Sequence, residues 1–246
     1  YLSITLQDQG KWAEARKSVV YALSISRSTN ITPYIGFALI VIGNMHMMQS
    51  KLLDHSQENI NQENNNSKLE DLEKTVNIQR CHFLKRSQKV LERALALEGL
   101  ESETRIEGQL SMVQLSLLQG ELNRAWQQAI NILEEARQHE LIWQPSRAQS
   151  LIASILAAQG RMEQATQYFE EAINVLRKCG MHLEFARALH SYGVTLLKHG
   201  GMEKKNLQQG LSHLRDAHKV FVECGAVLDS QLVEHDIAMY QGQREK

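Results

Sequence analysis

Histidines, cysteines and acidic side chains are the groups in this chain that could bind a metal or catalyse a reaction. The ten histidines include no His-x-x-x-His pair, and His213 and His218 are five residues apart, which places them on different sides of a helix. We therefore expect solvated or hydrogen-bonded histidines and no metal site.

The three cysteines, Cys81, Cys179 and Cys224, are odd in number and include no Cys-x-x-Cys. This pattern argues against a disulfide framework and against structural zinc, and it fits a reducing cytoplasm. Cys179 and Cys224 both directly precede a glycine, so we interpret them as small packing residues that recur with a repeat and not as nucleophiles.

The motifs that enzymes need for phosphate, dinucleotide or acyl chemistry are missing. The sequence contains no phosphate loop, no Gly-x-Gly-x-x-Gly after a strand and no Gly-x-Ser-x-Gly elbow. The glycines and lysines of "HGGMEKK" have no preceding strand. We therefore expect a non-catalytic protein without a cofactor.

Composition predicts an all-α fold. The chain has 246 residues and only two prolines, and helix-forming residues run almost without interruption. Its 27 basic and 28 acidic side chains leave no electrostatic footprint for nucleic acid. The longest apolar run, Tyr34 to Met48, contains Asn44 and is too short to span a bilayer. We therefore expect no direct binding to nucleic acid or membrane. Because the sequence starts at Tyr1, we also expect a fragment of a larger protein.

A repeat organises the chain. The segments "LLQGELNRAWQQAINIL" (Leu117 to Leu133) and "AAQGRMEQATQYFEEAI" (Ala157 to Ile173) superpose with an offset of 40 residues. After Gly160, a small residue, a larger apolar residue and a second small residue follow at Ala165, Phe169 and Ala172. A glycine of this kind supplies the left-handed cap that reverses the chain, and small residues let helices approach closely.

Four more copies share these intervals in whole or in part. The first copy, at Gly10, has Ala15, Val19 and Ala22. The second copy has Ser50 in place of the glycine, followed by Leu91 and Ala94. In the copy at Gly200, about five extra residues precede Leu214 and Ala217, and a sixth, incomplete copy follows. A single hairpin would leave one apolar face in water, so the copies must stack and share a core.

The repeat resembles the tetratricopeptide repeat (TPR). That family also has a larger and a small residue eight and seven positions before the turn glycine, which correspond here to Ile42/Gly43, Met112/Val113, Ile152/Ala153 and Tyr192/Gly193. The helix-ending proline of the family is absent, and the period is about 40 instead of about 34. The resemblance implies one right-handed α-solenoid domain over residues 1–246, with about five and a half helix hairpins.

Repeats of this length are similar to the sensor arrays of bacterial LuxR-type regulators and other signal-transduction ATPases; "CGMHLEFARALHSYGVTLL" is especially similar. The resemblance implies a cytoplasmic module of a signalling or transcriptional regulator that binds a protein or peptide in its concave groove. Two alternatives stay open: a free-standing scaffold for a protein complex, and a peptide-pheromone receptor.

An Asn-rich insertion interrupts the second copy from Leu53 to Thr75. Its low hydrophobicity predicts a flexible loop at the tip of a hairpin, and "SKLEDLEKT" could instead extend the following helix. We interpret it as a tolerated surface expansion, with partner binding as the alternative.

The resemblance implies that the first helix of each hairpin lines the groove. The positions carried over are Phe37, Ile40, Val41, Asn44 and Met47, then Glu107, Ser111 and Gln114, then Arg147, Ser150 and Ser154, then Arg187 and His190, and finally His235 and Asp236. One end of this groove is apolar and the other polar. Arg147 and Arg187, one repeat apart, could bind an acidic peptide or a phosphate group; alternatively, they pair with neighbouring acids while the apolar end packs on an adjacent domain.

Overall fold

The computed structural model describes residues 2–63, 67–200 and 204–242, and it describes no side chain over residues 55–72 or at residue 242. Eleven helices and no strand occur in these ranges. They are α1 (Leu2–Asp8), α2 (Trp12–Ser28), α3 (Thr32–Glu63), α4 (Ser67–Leu95), α5 (Ser102–Leu118), α6 (Leu122–Gln138), α7 (Gln144–Ala158), α8 (Met162–Lys178), α9 (His182–His199), α10 (Lys204–Glu223) and α11 (Val227–Gly242).

The chain divides into two compact units. Unit 1 comprises Tyr1–Ile4 and Trp12–Leu115, and unit 2 comprises Thr5–Lys11 and Ser116–Lys246. Within unit 1, α3 packs on both α2 and α4. Within unit 2, the helices from α6 to α11 pack each on the next, and α9 also contacts α7 and α11. Packing of neighbouring helices, with contacts between alternate ones, is the arrangement of an all-α solenoid, which confirms the predicted fold class.

The recurring apolar positions form the cores of both units. Ala165, Phe169 and Ala172 of α8 are fully buried. Their counterparts on α4, α6 and α10 are also buried: Leu91 and Ala94, then Ala125, Ala129 and Ile132, then Leu214 and Ala217. On α2, Ala15 and Val19 are buried but Ala22 is exposed. The intervals therefore specify packing in every copy, except at this one alanine.

The turn glycines behave as predicted except in one copy. Gly120 and Gly160 have φ angles of 77° and 79°, in the left-handed region that lets a helix end and the chain reverse. Gly200 was expected to do the same, but its φ is −75°. The Gly200 amide still donates to the carbonyl oxygen of Leu196 at 3.0 Å, so helical hydrogen bonding continues through this residue and the prediction for Gly200 was wrong.

The Asn-rich insertion does not form the long loop that its composition predicts. α3 continues to Glu63 and α4 begins at Ser67, so most of the segment from Leu53 to Thr75 extends these two helices. Residues 64–66 lie outside the described part of the chain. The physical reason is that the segment contains no proline or glycine, so nothing in it ends a helix, and its Gln, Glu, Lys and Leu residues have high helix propensity.

Candidate functional site

Most of the predicted groove residues of α3, in unit 1, are buried. On α3, Ile40, Val41 and Met47 are only 4%, 4% and 3% exposed, whereas Phe37 and Asn44 are half-buried. The Oδ1 atom of Asn44 is buried and has no hydrogen-bond partner among the described residues. Among the predicted groove residues of α3, Asn44 is therefore the polar one with hydrogen-bonding capacity left open.

On α5, the polar residues at the predicted positions are engaged within their own helix or partly covered. The hydroxyl of Ser111 is buried and donates to the carbonyl oxygen of Glu107 at 3.0 Å. Glu107 and Gln114 are half-buried. Ser111 therefore contributes its hydroxyl to its own helix and not to an open surface.

The serines of α7 are satisfied in the same way. Ser150 donates to the carbonyl oxygen of Ser146, and Ser154 donates to that of Ser150, each at 3.1 Å. Arg147 is half-buried on the same helix. A joint anion site of Arg147 and Arg187 stays a prediction.

Unit 2 has a charged cluster around Arg187 of α9. The Arg187 guanidinium donates to Glu184 at 2.9 Å, to Asp229 of α11 at 3.0 Å and to Asp8 of α1 at 3.2 Å. About a third of the Arg187 side chain is exposed, whereas Asp229 is 8% exposed. Three helices thus contribute to one cluster, in which three carboxylates surround a single guanidinium.

The electrostatics of this cluster follow from its burial. Burial by itself would lower the pKa of Arg187, but the charges of Asp229, Glu184 and Asp8 raise it above the usual arginine value, so Arg187 stays charged. Burial raises the pKa of Asp8 despite the opposing Arg187, and repulsion from Asp229 and Glu184 adds to the increase. The cluster therefore has a surplus of carboxylates that one arginine does not offset.

A second polar pair from the predicted set lies on the same two helices. His190 Nε2 of α9 donates to Asp236 Oδ2 of α11 at 2.6 Å, and Asp236 is 4% exposed. His235, the neighbour of Asp236, is half-buried. The structure thus joins His190 and Asp236, and it places them on the two helices that hold Arg187. We call Asp8, Glu184, Arg187, His190, Asp229 and Asp236 the polar face.

Three members of the polar face were not predicted from the sequence. Glu184 could have been found, since it lies one turn before Arg187 and opposite charges at this spacing pair on a helix. Asp229 occupies the same repeat position as Glu184, 45 residues later. Asp8 gave no local signal, because its contact with Arg187 spans 179 residues.

The groups first considered for chemistry form no metal-binding cluster within the described ranges. No group of three or more His, Cys, Asp or Glu side chains there could hold a metal ion. Cys81, Cys179 and Cys224 are free and exposed. The interpretation of Cys179 and Cys224 as packing residues was therefore wrong, because each lies in the exposed last turn of its hairpin. None of the described helices has the length and hydropathy that a membrane span requires.

Comparison with known proteins supports the fold alone. No protein-family model matches the chain, and no curated protein matches it. Among solved structures, the chain is similar to BtubC (BKLC) from P. vanneervenii, with a TM-score of 0.51 and 12% sequence identity over 95% of this chain and 90% of that one. At this identity the similarity concerns the arrangement of helices and carries no function.

Proposed function

We propose that the protein is a non-catalytic, TPR-like module that binds a protein or peptide, and that it belongs to a larger cytoplasmic regulator of bacterial signalling or transcription. The polar face of unit 2 supports the binding of a protein or peptide. The resemblance of the repeat to the sensor arrays of such regulators supports the assignment to a larger regulator.

One observation carries the binding proposal: polar residues that hairpin stacking does not require meet on neighbouring first helices. His190 and Asp236 are joined at 2.6 Å, whereas the position on α7 that corresponds to His190 is Ser150, which bonds only to its own helix. Stacking of the hairpins requires only the recurring apolar positions. Partly buried charges lower stability unless they are paired, so a network that one copy has and another lacks is typical of recognition.

The charge of the polar face favours a basic partner. Asp8, Glu184 and Asp229 surround Arg187, so the guanidinium has little capacity left for an acidic peptide. A lysine or arginine side chain of a partner would instead offset the surplus of carboxylates. The expected ligand is therefore positively charged, whereas Arg187 considered alone in the sequence suggested a negatively charged one.

A selection from a random peptide library displayed on phage, with the purified full chain as bait, tests the binding proposal. We expect enrichment of peptides that contain Lys or Arg, and binding that weakens with added salt. His190→Ala should weaken the binding of the enriched peptides about tenfold, because the variant removes the hydrogen bond by which His190 positions the Asp236 carboxylate. The absence of any enriched peptide would contradict the proposal.

The matched control is His218→Ala. His218 also pairs with a carboxylate, Glu234, at 2.8 Å, but it lies on α10 and outside the polar face. The proposal predicts unchanged peptide affinity for this variant. Equal losses in both variants would show that the peptides bind elsewhere and would remove the polar face as the site.

The coding sequence that flanks this chain tests the regulator assignment. A phosphate-loop ATPase upstream, with a helix-turn-helix or cyclase domain, is the expected result. A complete gene that encodes no other domain would contradict this assignment and favour a free-standing scaffold.

A further inference from the structure

Unit 1 contains an open cleft that belongs to neither the polar face nor the predicted groove. It has a volume of about 310 Å³ and is lined by Trp12 of α2, Gln49, Leu52 and Leu53 of α3, and Phe83 of α4. Four of these five side chains are apolar or aromatic, and all five are half-buried. This cleft therefore exposes apolar surface from three helices at one place.

The cleft uses a different side of α3 from the predicted groove. Gln49 and Leu53 are separated by one turn, and His46 lies one turn before Gln49, so the three share one side of the helix. Asn44 lies about 160° around the helix from His46, given 3.6 residues per turn. Gln49 and Leu53 of the cleft thus face away from Asn44.

Histidine and aromatic rings stack beside the cleft. The His46 ring stacks on Phe83, with centroids 6.0 Å apart, and its Nδ1 atom lies 3.2 Å from Gln49 Oε1. Burial lowers the pKa of His46, and the positive charges of Arg86, Arg16 and His82 lower it further. Arg16 and Arg86 therefore lie close enough to His46 for their charges to disfavour its protonation.

Two arginines without acidic partners follow residues that line the cleft by one helical turn. Arg16 is one turn after Trp12, Arg86 is one turn after Phe83, and both are exposed. Neither has an Asp or Glu three or four residues away in the sequence, and neither forms an ion pair with any residue that the structure describes. Asp54, which follows Leu53, is already bound to Arg80 at 2.6 Å. Arg16 and Arg86 are thus available to an anionic group.

We propose that this cleft docks a segment of a partner protein in which an apolar side chain is flanked by carboxylates. The apolar side chain would enter between Trp12 and Phe83, and the carboxylates would accept hydrogen bonds from Arg16 and Arg86. A volume near 310 Å³ suits one or two side chains and is at the low end for a cofactor.

The apolar walls favour a peptide over a nucleic acid. A phosphate backbone would contact the two arginines but would leave Leu52, Leu53 and Phe83 exposed to water. The chain also has a formal net charge of −1, which gives it no general attraction for polyanions. An amphipathic acidic segment matches both the charge of Arg16 and Arg86 and the apolar character of the cleft.

Fluorescence anisotropy with the full chain tests this inference. The probe is a short labelled peptide in which leucines alternate with glutamates, and two comparison probes replace either the leucines by serine or the glutamates by lysine. We expect only the first probe to bind. The double variant Arg16→Gln/Arg86→Gln should weaken its affinity about tenfold or more, because both charge-assisted hydrogen bonds are lost.

Lys85→Gln is the matched control, since Lys85 is an exposed cation of α4 on the side away from Phe83. We expect it to leave the affinity within about twofold, as typical for a distant surface charge. An equal loss of affinity in this control would show that any nearby positive charge has the same effect, and it would overturn the proposal. It would also be overturned if the first probe did not bind, or if a single-stranded oligonucleotide bound more tightly. Thermal unfolding of each variant checks that the chain stays folded.

Discussion

Two hairpins of the same repeat differ in how they turn. In the α7–α8 hairpin, helices of 15 and 17 residues are joined at Gly160, which has a left-handed φ of 79°. In the α3–α4 hairpin, Ser50 occupies the position of that glycine, and α3 continues for 13 residues beyond it, to Glu63. The lack of the turn glycine, together with the residues inserted from Leu53 to Thr75, thus separates two long helices from a compact hairpin.

The two hairpins also differ where their helices approach each other. Seven residues before the turn position, α7 has Ala153 and α3 has Gly43. A Cβ atom on Gly43 would lie 2.7 Å from the Leu91 side chain of α4, closer than real contacts allow. The α3–α4 hairpin is therefore packed too closely there for alanine, although it shares the register of the α7–α8 hairpin.

The largest loss of stability should follow from truncating the large apolar residue that fills the space between the two helices of a hairpin. Phe169 of α8 is fully buried and stacks on Tyr192 at 4.9 Å. Phe169→Ala should lower the free energy of unfolding by about 3–5 kcal/mol, since the void cannot close fully. Leu91→Ala, at the same repeat position of α4, should cost about 2–5 kcal/mol. Urea unfolding measures both, and a loss below about 1 kcal/mol in either would contradict the common register.

The second largest loss of stability should come from steric overlap at Gly43. Gly43→Ala should destabilise by about 1–3 kcal/mol, because Leu91 is fully buried and must shift to admit a methyl group. Ala153→Gly is the comparison: it adds no atoms and should cost about 1 kcal/mol, mainly through lost helix propensity. Thermal unfolding of both variants separates the two effects. A neutral Gly43→Ala would show that the close approach of α3 and α4 is not required.

The two turn positions should respond with opposite signs. Gly160→Ala should cost about 1–2 kcal/mol, solely through its backbone, because no atom lies within 4 Å of the added Cβ. Ser50 is fully buried and its Oγ has no hydrogen-bond partner in the described residues. Ser50→Ala should therefore be neutral or stabilising by up to about 1 kcal/mol. Chemical denaturation measures the free energy of unfolding of both variants. A clear decrease for Ser50→Ala would indicate that the Ser50 hydroxyl forms a hydrogen bond in the folded chain.

The smallest expected effect depends on pH. The pKa of His46 on α3 is lowered below its ordinary 6.5, mainly by burial, so below this pH the unfolded chain binds more protons than the folded one. Stability should fall as the pH drops through 6.5. His46→Gln should reduce this loss in part, because burial lowers the pKa of His213 in the same direction. Thermal unfolding between pH 7.5 and 5 measures the slope; an identical slope in the variant would contradict the assignment.

Local intervals predicted the packing, whereas long-range contacts determined the polar face. Ala165, Phe169 and Ala172 could be placed because a repeat imposes the same neighbours in each copy. The start of α4 at Ser67 confirms the stated alternative that SKLEDLEKT extends the following helix. The continuation of α3 to Glu63 was not predicted, because polar composition is a weaker guide here than the absence of helix breakers. The contact between Arg187 and Asp8 could not be predicted, since the repeat relates neighbouring copies and gives no information on residues 179 positions apart.

Hydrogen exchange of the full chain, with and without an enriched basic peptide, tests most directly whether the polar face is a binding site. Binding should slow exchange in α9 and α11 around His190 and Asp236, and His190→Ala should abolish this protection. Protection confined to α2, α3 and α4, or slower exchange that persists in His190→Ala, would contradict the proposed site.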